Sequence, residues 1–179
     1  MDINLLVKIT SRAWALSILD KLHLGIPGRQ AALLAATGAG RTAFLQSLEH
    51  LVTLGLLERN PGHGHPLRPE FRLTPAGVAA AGLAHEVLKA VRQDEQDLLR
   101  LSWTLPVLAT LQAAHPFGEI RRSLPSITDR ALSHSLRSME QRTWIHRHVE
   151  ETTRPPRPLY MAINNGAVVS SLAGAVLGR

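Results

Sequence analysis

The sequence has no cysteine, few aromatic residues and no long run of apolar residues. Without cysteine, the chain cannot form a disulfide bond, a thiolate nucleophile, or a zinc or iron–sulfur site built on cysteine. Charged residues or glycine interrupt its apolar stretches within about 12 residues, which is too short to span a bilayer. Residues 1–10 are apolar but lack the basic start and the cleavage site of a signal peptide. We therefore expect a cytoplasmic protein that makes no contact with a membrane.

Lysine is also scarce, because 17 of the 20 basic residues are arginine. Residues 1–100 carry 11 basic and 9 acidic residues, whereas residues 101–179 carry 9 and 5. The planar guanidinium of arginine matches phosphate and guanine, so this bias favours a nucleic-acid partner. A biased genome composition would enrich arginine as well, and the charge alone does not identify the partner. The 45% of hydrophobic residues is enough for a buried core and excludes a disordered chain.

The chain repeats part of its own pattern. Three anchors match at an offset of 89 residues: 14–19 with 103–108, 66–71 with 155–160, and Gly77 with Gly166. Between these anchors, five apolar residues match five others at an offset of 88: Phe44, Leu48, Leu51, Leu56 and Leu57 with Leu132, Leu136, Met139, Trp144 and Ile145. Two compensating one-residue gaps explain the change of offset. The ordered series predicts two copies of one module of roughly 65–75 residues.

The second copy shows the elements of that module most clearly. Its apolar periodicity predicts three helices, the third of them capped by Thr128 and carrying Leu132, Leu136 and Met139 as its buried stripe. Two alternating segments separated by a Pro/Arg loop predict a β-hairpin. The predicted ranges are 103–113, 117–124 and 128–142 for the helices, and 144–149 and 159–163 for the strands. Three helices followed by a two-stranded hairpin form a winged helix-turn-helix.

Residues 117–140 (FGEIRRSLPSITDRALSHSLRSME) and 155–160 (PPRPLY) resemble the HxlR-type winged-helix transcriptional regulators. The resemblance covers about residues 101–166. Residues 12–77 resemble the family more weakly, mainly through RPEFRLTPAG at 68–77. The resemblance to this family implies a winged-helix fold and DNA binding. Typical members carry one module and dimerise, and many have a cysteine near the N-terminus; this chain has two modules and no cysteine, which excludes thiol sensing.

The expected fold is mainly α (α+β), with two tandem winged helix-turn-helix modules joined by a helical linker. The first domain is a degenerate module with an N-terminal helix (1–77), and a connecting helix follows it (78–100). The second module, which resembles the family, spans 101–166, and a C-terminal helix spans 167–179. Flanking helices dimerise in the family. Here they either pack the two modules together or join two chains, so a homodimer stays open.

A recognition helix needs one buried face and one face with groups that reach phosphates and base edges. In the second copy, the outward positions carry hydrogen-bond donors: Arg130, Ser133, His134, Arg137 and Gln141. We expect the neighbouring DNA contacts to come from the start of this helix, the end of the preceding one and the wing: Thr128, Arg121, Arg122, Arg154 and Arg157. The alternative is an ordinary solvated helix face.

The first copy is less well equipped. Its outward positions are Thr42, Leu45, Gln46, Glu49 and Thr53, so that a leucine replaces Ser133 and an acid replaces Arg137. Glu49 would face phosphate with like charge. Arg41 and Arg68 remain as basic candidates beside Thr42 and Gln46. This copy either reads DNA weakly or serves only as a packing partner.

The aromatic residues Trp14, Trp103, Phe117 and Trp144 are typical of a core, but they could also line a pocket for an apolar small-molecule effector. The histidines that could be grouped, His50 with His63 and His65, and His146 with His148, lack a carboxylate companion, so we expect no metal and no cofactor. No Ser/His/Asp or paired-carboxylate pattern is recognisable, and we do not expect an enzyme. We predict a transcriptional regulator, a repressor, that binds double-stranded DNA. The alternative is a winged-helix protein that binds a small molecule or another protein without DNA.

Overall fold

The computed structural model describes residues 1–60, 69–124, 126–150 and 156–178. The helices are α1 (Ile3–Thr10), α2 (Ala15–His23), α3 (Gln30–Thr37), α4 (Arg41–Thr53), α5 (Pro75–Ala90), α6 (Thr104–Ala109), α7 (Phe117–Ser123), α8 (Asp129–Gln141) and α9 (Asn164–Leu177). The strands are β1 (Leu57–Asn60), β2 (Glu70–Leu73), β3 (His115–Pro116), β4 (Ile145–Glu150) and β5 (Arg157–Ala162). Within these ranges, no helix combines the length and the apolar content that crossing a membrane requires.

The strands form two small antiparallel sheets, so the fold is α+β. In the first half, α2, α3 and α4 precede the β1–β2 hairpin, in which Leu57 pairs with Leu73. In the second half, α6, α7 and α8 precede the β4–β5 hairpin, in which Ile145 pairs with Ala162. The short strand β3 adds to the edge of β5, giving the order β3-β5-β4. A helical cluster with a hairpin of this kind is consistent with a winged helix.

Helix α8 forms where its sequence pattern predicts. The Thr128 side chain accepts a hydrogen bond from the Ala131 backbone N–H at 3.2 Å, which satisfies one of the free donors of the first turn. Leu132, Leu136 and Met139 are buried, as their spacing predicts. The helix ends at Gln141. One face is therefore held in the core, and the opposite face is left to solvent.

Two glycines let a helix begin against the turn that precedes a hairpin. A Cβ on Gly77, near the start of α5, would lie 1.9 Å from the carbonyl oxygen of Leu56. A Cβ on Gly166, near the start of α9, would lie 1.9 Å from the carbonyl oxygen of Trp144. No side chain fits at that distance, so only glycine permits the close approach. The backbone N–H groups of Thr74 and Ile163 donate to the same two carbonyls, at 3.0 and 2.9 Å.

The helices share one buried apolar core. Helix α5 packs on α2, α9 packs on α6, and α5 and α9 pack on each other. Helix α1, which precedes the first helical cluster in the chain, packs against both α2 and α6. Leu6 and Ile9 of α1 are fully buried in this way. The two halves are thus held together by α1, α5 and α9.

The prediction of a connecting helix over 78–100 is wrong for residues 91–100. Helix α5 ends at Ala90, Val91 is extended, and two 3₁₀ turns follow at Gln93–Glu95 and Leu98–Arg100. The Gln96 amide donates to the carbonyls of Leu88 and Val91 at 2.9 and 3.1 Å, taking up acceptors that the helix end leaves free. Buried Leu98 and Leu99 draw the segment back onto the core.

The exposed side chains of Arg92 and Asp94 pair with each other at the first of these turns. The Arg92 guanidinium donates to both carboxylate oxygens of Asp94. These hydrogen bonds hold the pKa of the Asp94 carboxyl below its usual value and raise the pKa of Arg92. Helix α6 is also shorter than the predicted 103–113: it ends at Ala109, where the Thr110 hydroxyl donates to the Val107 carbonyl.

Candidate nucleic-acid interface

The outer face of α8 presents the five predicted donors together. All five side chains are exposed: Arg130, Ser133, His134, Arg137 and Gln141. Among the described side chains, Arg130 and Arg137 have no acidic partner. Their guanidinium groups are therefore available to a ligand in solution. Thr128 lies at the start of the same helix, where its hydroxyl oxygen is used by the N-cap and its hydrogen can still be donated.

Two arginines at the end of α7 lie beside acids. Arg121 Nε is 3.0 Å from Asp129 Oδ1, which ties the end of α7 to the first turn of α8. Arg122 is 3.8 Å from Glu119 within α7, and its side chain is largely exposed. An arginine offers five N–H donors, so Arg121 can hold Asp129 and still donate outward. The pair links the two helices, and Arg122 is the more accessible of the two arginines.

The hairpin carries two further exposed arginines, and one of them lies beside α8. Arg157 is exposed at the start of β5, in register with Glu150 of β4. Arg147 of β4 lines a cavity of about 370 Å³ together with Ser133 and Arg137 of α8. Arg147 was not predicted from the sequence, although the alternation of β4 could have singled it out. Arg154, and Arg68 of the first hairpin, lie outside the described residues.

The corresponding face of α4 carries less positive charge. Thr42, Gln46, Glu49 and Thr53 are exposed, and Leu45 is half-buried. Arg41 is exposed at the first position of the helix. These positions agree with the predicted register, in which an acid stands where α8 has Arg137. The α4 face thus combines one cation with one anion, whereas the α8 face combines two guanidinium groups and an imidazole with one acid, Glu140, which lines the same cavity as Arg137.

The four aromatic candidates do not surround a common space. Trp144 is 1% exposed and belongs to the core. Trp103 lines a cavity of about 480 Å³ beside α8, and Phe117 lines the separate cavity that contains Arg147. Trp14 lies under the guanidinium of Arg100, whose carbon is 4.2 Å from the ring centroid. Of these four, Trp103 and Phe117 line cavities that border the exposed face of α8.

One polar cluster in the core interface of α2 and α5 was not predicted. Asp20 is 5% exposed, and its two carboxylate oxygens lie 2.9 Å from Lys21 Nζ and 2.9 Å from His85 Nδ1. The His23 ring stacks on that of His85 at 4.8 Å. A single acid within the apolar stripe of α2 was the available signal. In the described part of the chain, no three His, Asp or Glu side chains are grouped to hold a metal ion.

Residues 98–176 match the family model described as HxlR-like helix-turn-helix. This segment contains α6 to α8, the β4–β5 hairpin and all but the last residue of α9, and it is less than half of the chain. Comparisons with curated proteins and with solved structures gave no match. The family match supports an HxlR-type, DNA-binding transcription regulator, and this family is one of regulators rather than enzymes.

Proposed function

We propose that the protein is a transcriptional repressor that reads double-stranded DNA with α8. The observation that carries this proposal is the exposed row of donors on α8, within the segment that matches the helix-turn-helix family. Arg130 and Arg137 reach base edges in the major groove, and Ser133 and His134 add further donors. Thr128, Arg121 and Arg122 serve the adjacent phosphates, and Arg147 and Arg157 of the hairpin extend the contact.

The proposal includes two winged-helix modules in one chain, with the boundaries 1–77, 78–100, 101–166 and 167–179. Its support is the repeated order of helices and strands and the repeated glycine contacts of Gly77 and Gly166. The segments that precede the modules also cross over: α1 packs on α6, and Arg100 covers Trp14. These contacts between the halves hold two helix-turn-helix units at a fixed spacing. A single chain then presents two DNA-binding units, as a dimer of one-module chains would.

In this proposal, the two modules contribute unequally to DNA binding. In the first module, Arg41, Thr42 and Gln46 supplement the contact, with Arg68 of its hairpin. Glu49 is exposed on the same face and repels phosphate. The principal reader is α8, and α4 adds non-specific attraction at most. The complex occludes a promoter, and this is how it represses.

The experiment that tests the proposal is selection of genomic DNA fragments by the purified chain, followed by titration of the enriched fragment. We expect enrichment of a defined site, and loss of that enrichment in Arg137→Ala. Thr53→Ala, an exposed position on α4, is the matched control and should select the same site. A folded chain that enriches no fragment at about 50 mM salt would refute DNA reading, because phosphate contacts are strong at low salt.

A second candidate function is sequestration of a small molecule without DNA binding. The cavity of about 480 Å³ beside α8 is the observation that favours it. The same selection separates the two functions, since a sequestering protein would bind its ligand but enrich no DNA.

A further inference from the structure

A cavity of about 480 Å³ lies between the segment that precedes α6 and the first two turns of α8. Its volume is within the range of small-molecule sites in proteins. Residues 100–103 form one wall, and Thr128, Arg130, Ala131, His134 and Ser135 form the other. Because Arg130 and His134 also belong to the exposed face of α8, the cavity borders the proposed DNA contact directly.

The cavity is rich in hydrogen-bond donors and has no acid in its lining. Arg100 and Arg130 contribute guanidinium groups, and His134 contributes an imidazole. Guanidinium groups bind carboxylates through paired, charge-assisted hydrogen bonds. The positive charge of the cavity lining therefore favours an anionic ligand.

Ser135 lines the cavity and carries a hydroxyl group whose hydrogen-bonding capacity is not satisfied. It is 4% exposed, and its Oγ has no hydrogen-bond partner among the described residues. Ser47, which occupies the same position in α4, is also buried, but its Oγ donates to the Ala43 carbonyl at 2.8 Å. A buried hydroxyl without a partner costs free energy. Rotation about the Ser135 Cα–Cβ bond would turn the hydroxyl to a ligand oxygen in the cavity and recover that cost.

Both walls also contribute apolar side chains. The half-buried indole of Trp103 lines the cavity next to Leu101, and Ala131 faces them from α8. A flat hydrocarbon can stack on an indole, whereas a bare phosphate cannot use such a surface. The lining thus combines an anion-binding edge with an aromatic wall.

We propose that this cavity binds a small aromatic carboxylate. Its carboxylate is held by Arg100, Arg130 and the Ser135 hydroxyl, and its ring lies on Trp103. Since the ligand occupies Arg130, it competes with DNA for this guanidinium and releases the protein from its site. The release, but not the binding of the ligand, rests on the proposed function.

The first arm of the test is calorimetric titration of the DNA-free chain with 2-naphthoate, with the uncharged 2-naphthamide and inorganic phosphate as comparison ligands. We expect saturable one-site binding of 2-naphthoate, and at least tenfold weaker binding of the other two. Equal affinity for the amide would overturn the anion site, and equal affinity for phosphate would overturn the aromatic wall. No saturable binding of 2-naphthoate would overturn the proposal as a whole.

Variants locate the site. Ser135→Ala should weaken 2-naphthoate binding about three- to tenfold, through loss of one hydrogen bond, whereas Ser47→Ala should leave it unchanged. The indole N–H resonance that disappears in Trp103→Phe should be the one that shifts most on titration. Equal losses in the two serine variants, or a dominant shift of another indole, would place the ligand elsewhere and overturn the site.

The second arm adds DNA. Saturating 2-naphthoate should raise the dissociation constant of the enriched fragment at least tenfold in the wild type. An unchanged constant would overturn competition while leaving the binding site intact. If the chain binds no DNA at all, the proposed function fails, and the DNA-free titration still decides the cavity.

Discussion

The guanidinium of Arg100 covers the indole of Trp14, with its carbon 4.2 Å from the ring centroid. Arg100 lies just before α6 and Trp14 just before α2, so the contact joins the approaches to the two helical clusters. It places a cation over the electron-rich face of an aromatic ring. The contact thus links the segment that follows α5 to the first half of the chain.

Removal of this contact should destabilise the fold modestly. A cation–π pair at a partly exposed site contributes about 0.5–1 kcal/mol, and we expect Arg100→Gln to lower the melting temperature by about 1–4 °C. Arg92→Gln, in the same segment but fully exposed, is the control and should have a smaller effect. Thermal unfolding followed by circular dichroism measures both. Equal shifts in the two variants would mean that the indole contact adds nothing.

DNA binding should depend steeply on salt. If four to six of the exposed arginines neutralise phosphates, the logarithm of the association constant should fall against the logarithm of salt concentration with a slope of roughly −4 to −6. Fluorescence anisotropy of a labelled fragment at several salt concentrations gives the slope. A slope near zero would contradict a contact built on arginine and phosphate.

The two candidate recognition helices should differ in their response to mutation. Arg130→Ala and Arg137→Ala should each cost about 1–3 kcal/mol of binding free energy, because each removes a donor from the α8 face. Thr42→Ala and Gln46→Ala on α4 should cost less. All four side chains are exposed, so the melting temperatures should change little.

Glu49→Arg should tighten non-specific binding, since it removes a like charge and adds a phosphate partner. All these variants are compared at one salt concentration. Equal losses from the two helices would indicate a symmetric pair of readers. Larger losses from α4 would contradict the choice of α8 as the principal reader.

The close approach of α9 to the turn before β4 predicts an unusually sensitive glycine. Gly166→Ala should destabilise the fold by about 1–3 kcal/mol or more, because its Cβ would lie 1.9 Å from the Trp144 carbonyl oxygen. Gly82→Ala, in the interior of α5 with open space around its Cβ, should instead stabilise by about 0.5–1 kcal/mol. Chemical denaturation measures both changes. If Gly166→Ala left the free energy of unfolding unchanged, the backbone at Trp144 would have to shift away from the added methyl group at no cost.

Local pattern was enough to predict α8 and its two faces. The spacing of Leu132, Leu136 and Met139 determines which side of a 3.6-residue period is buried, and the opposite side then carries Arg130 and Arg137. The N-cap at Thr128 follows from the same local chemistry. For these residues, neighbours along the chain supply the decisive interactions, and the structure agrees with the prediction.

Other features depend on contacts between residues far apart in the chain, which only the tertiary structure decided. Helix α5 ends at Ala90 because buried Leu98 and Leu99 return the segment to the core, whereas the local pattern predicted a helix through to residue 100. The Asp20–His85 pair spans 65 residues, and the cavity at Ser135 exists because residues 100–103 pack beside α8. Periodicity determines which face of an element is apolar, but the partner of that face is selected by packing of the whole chain.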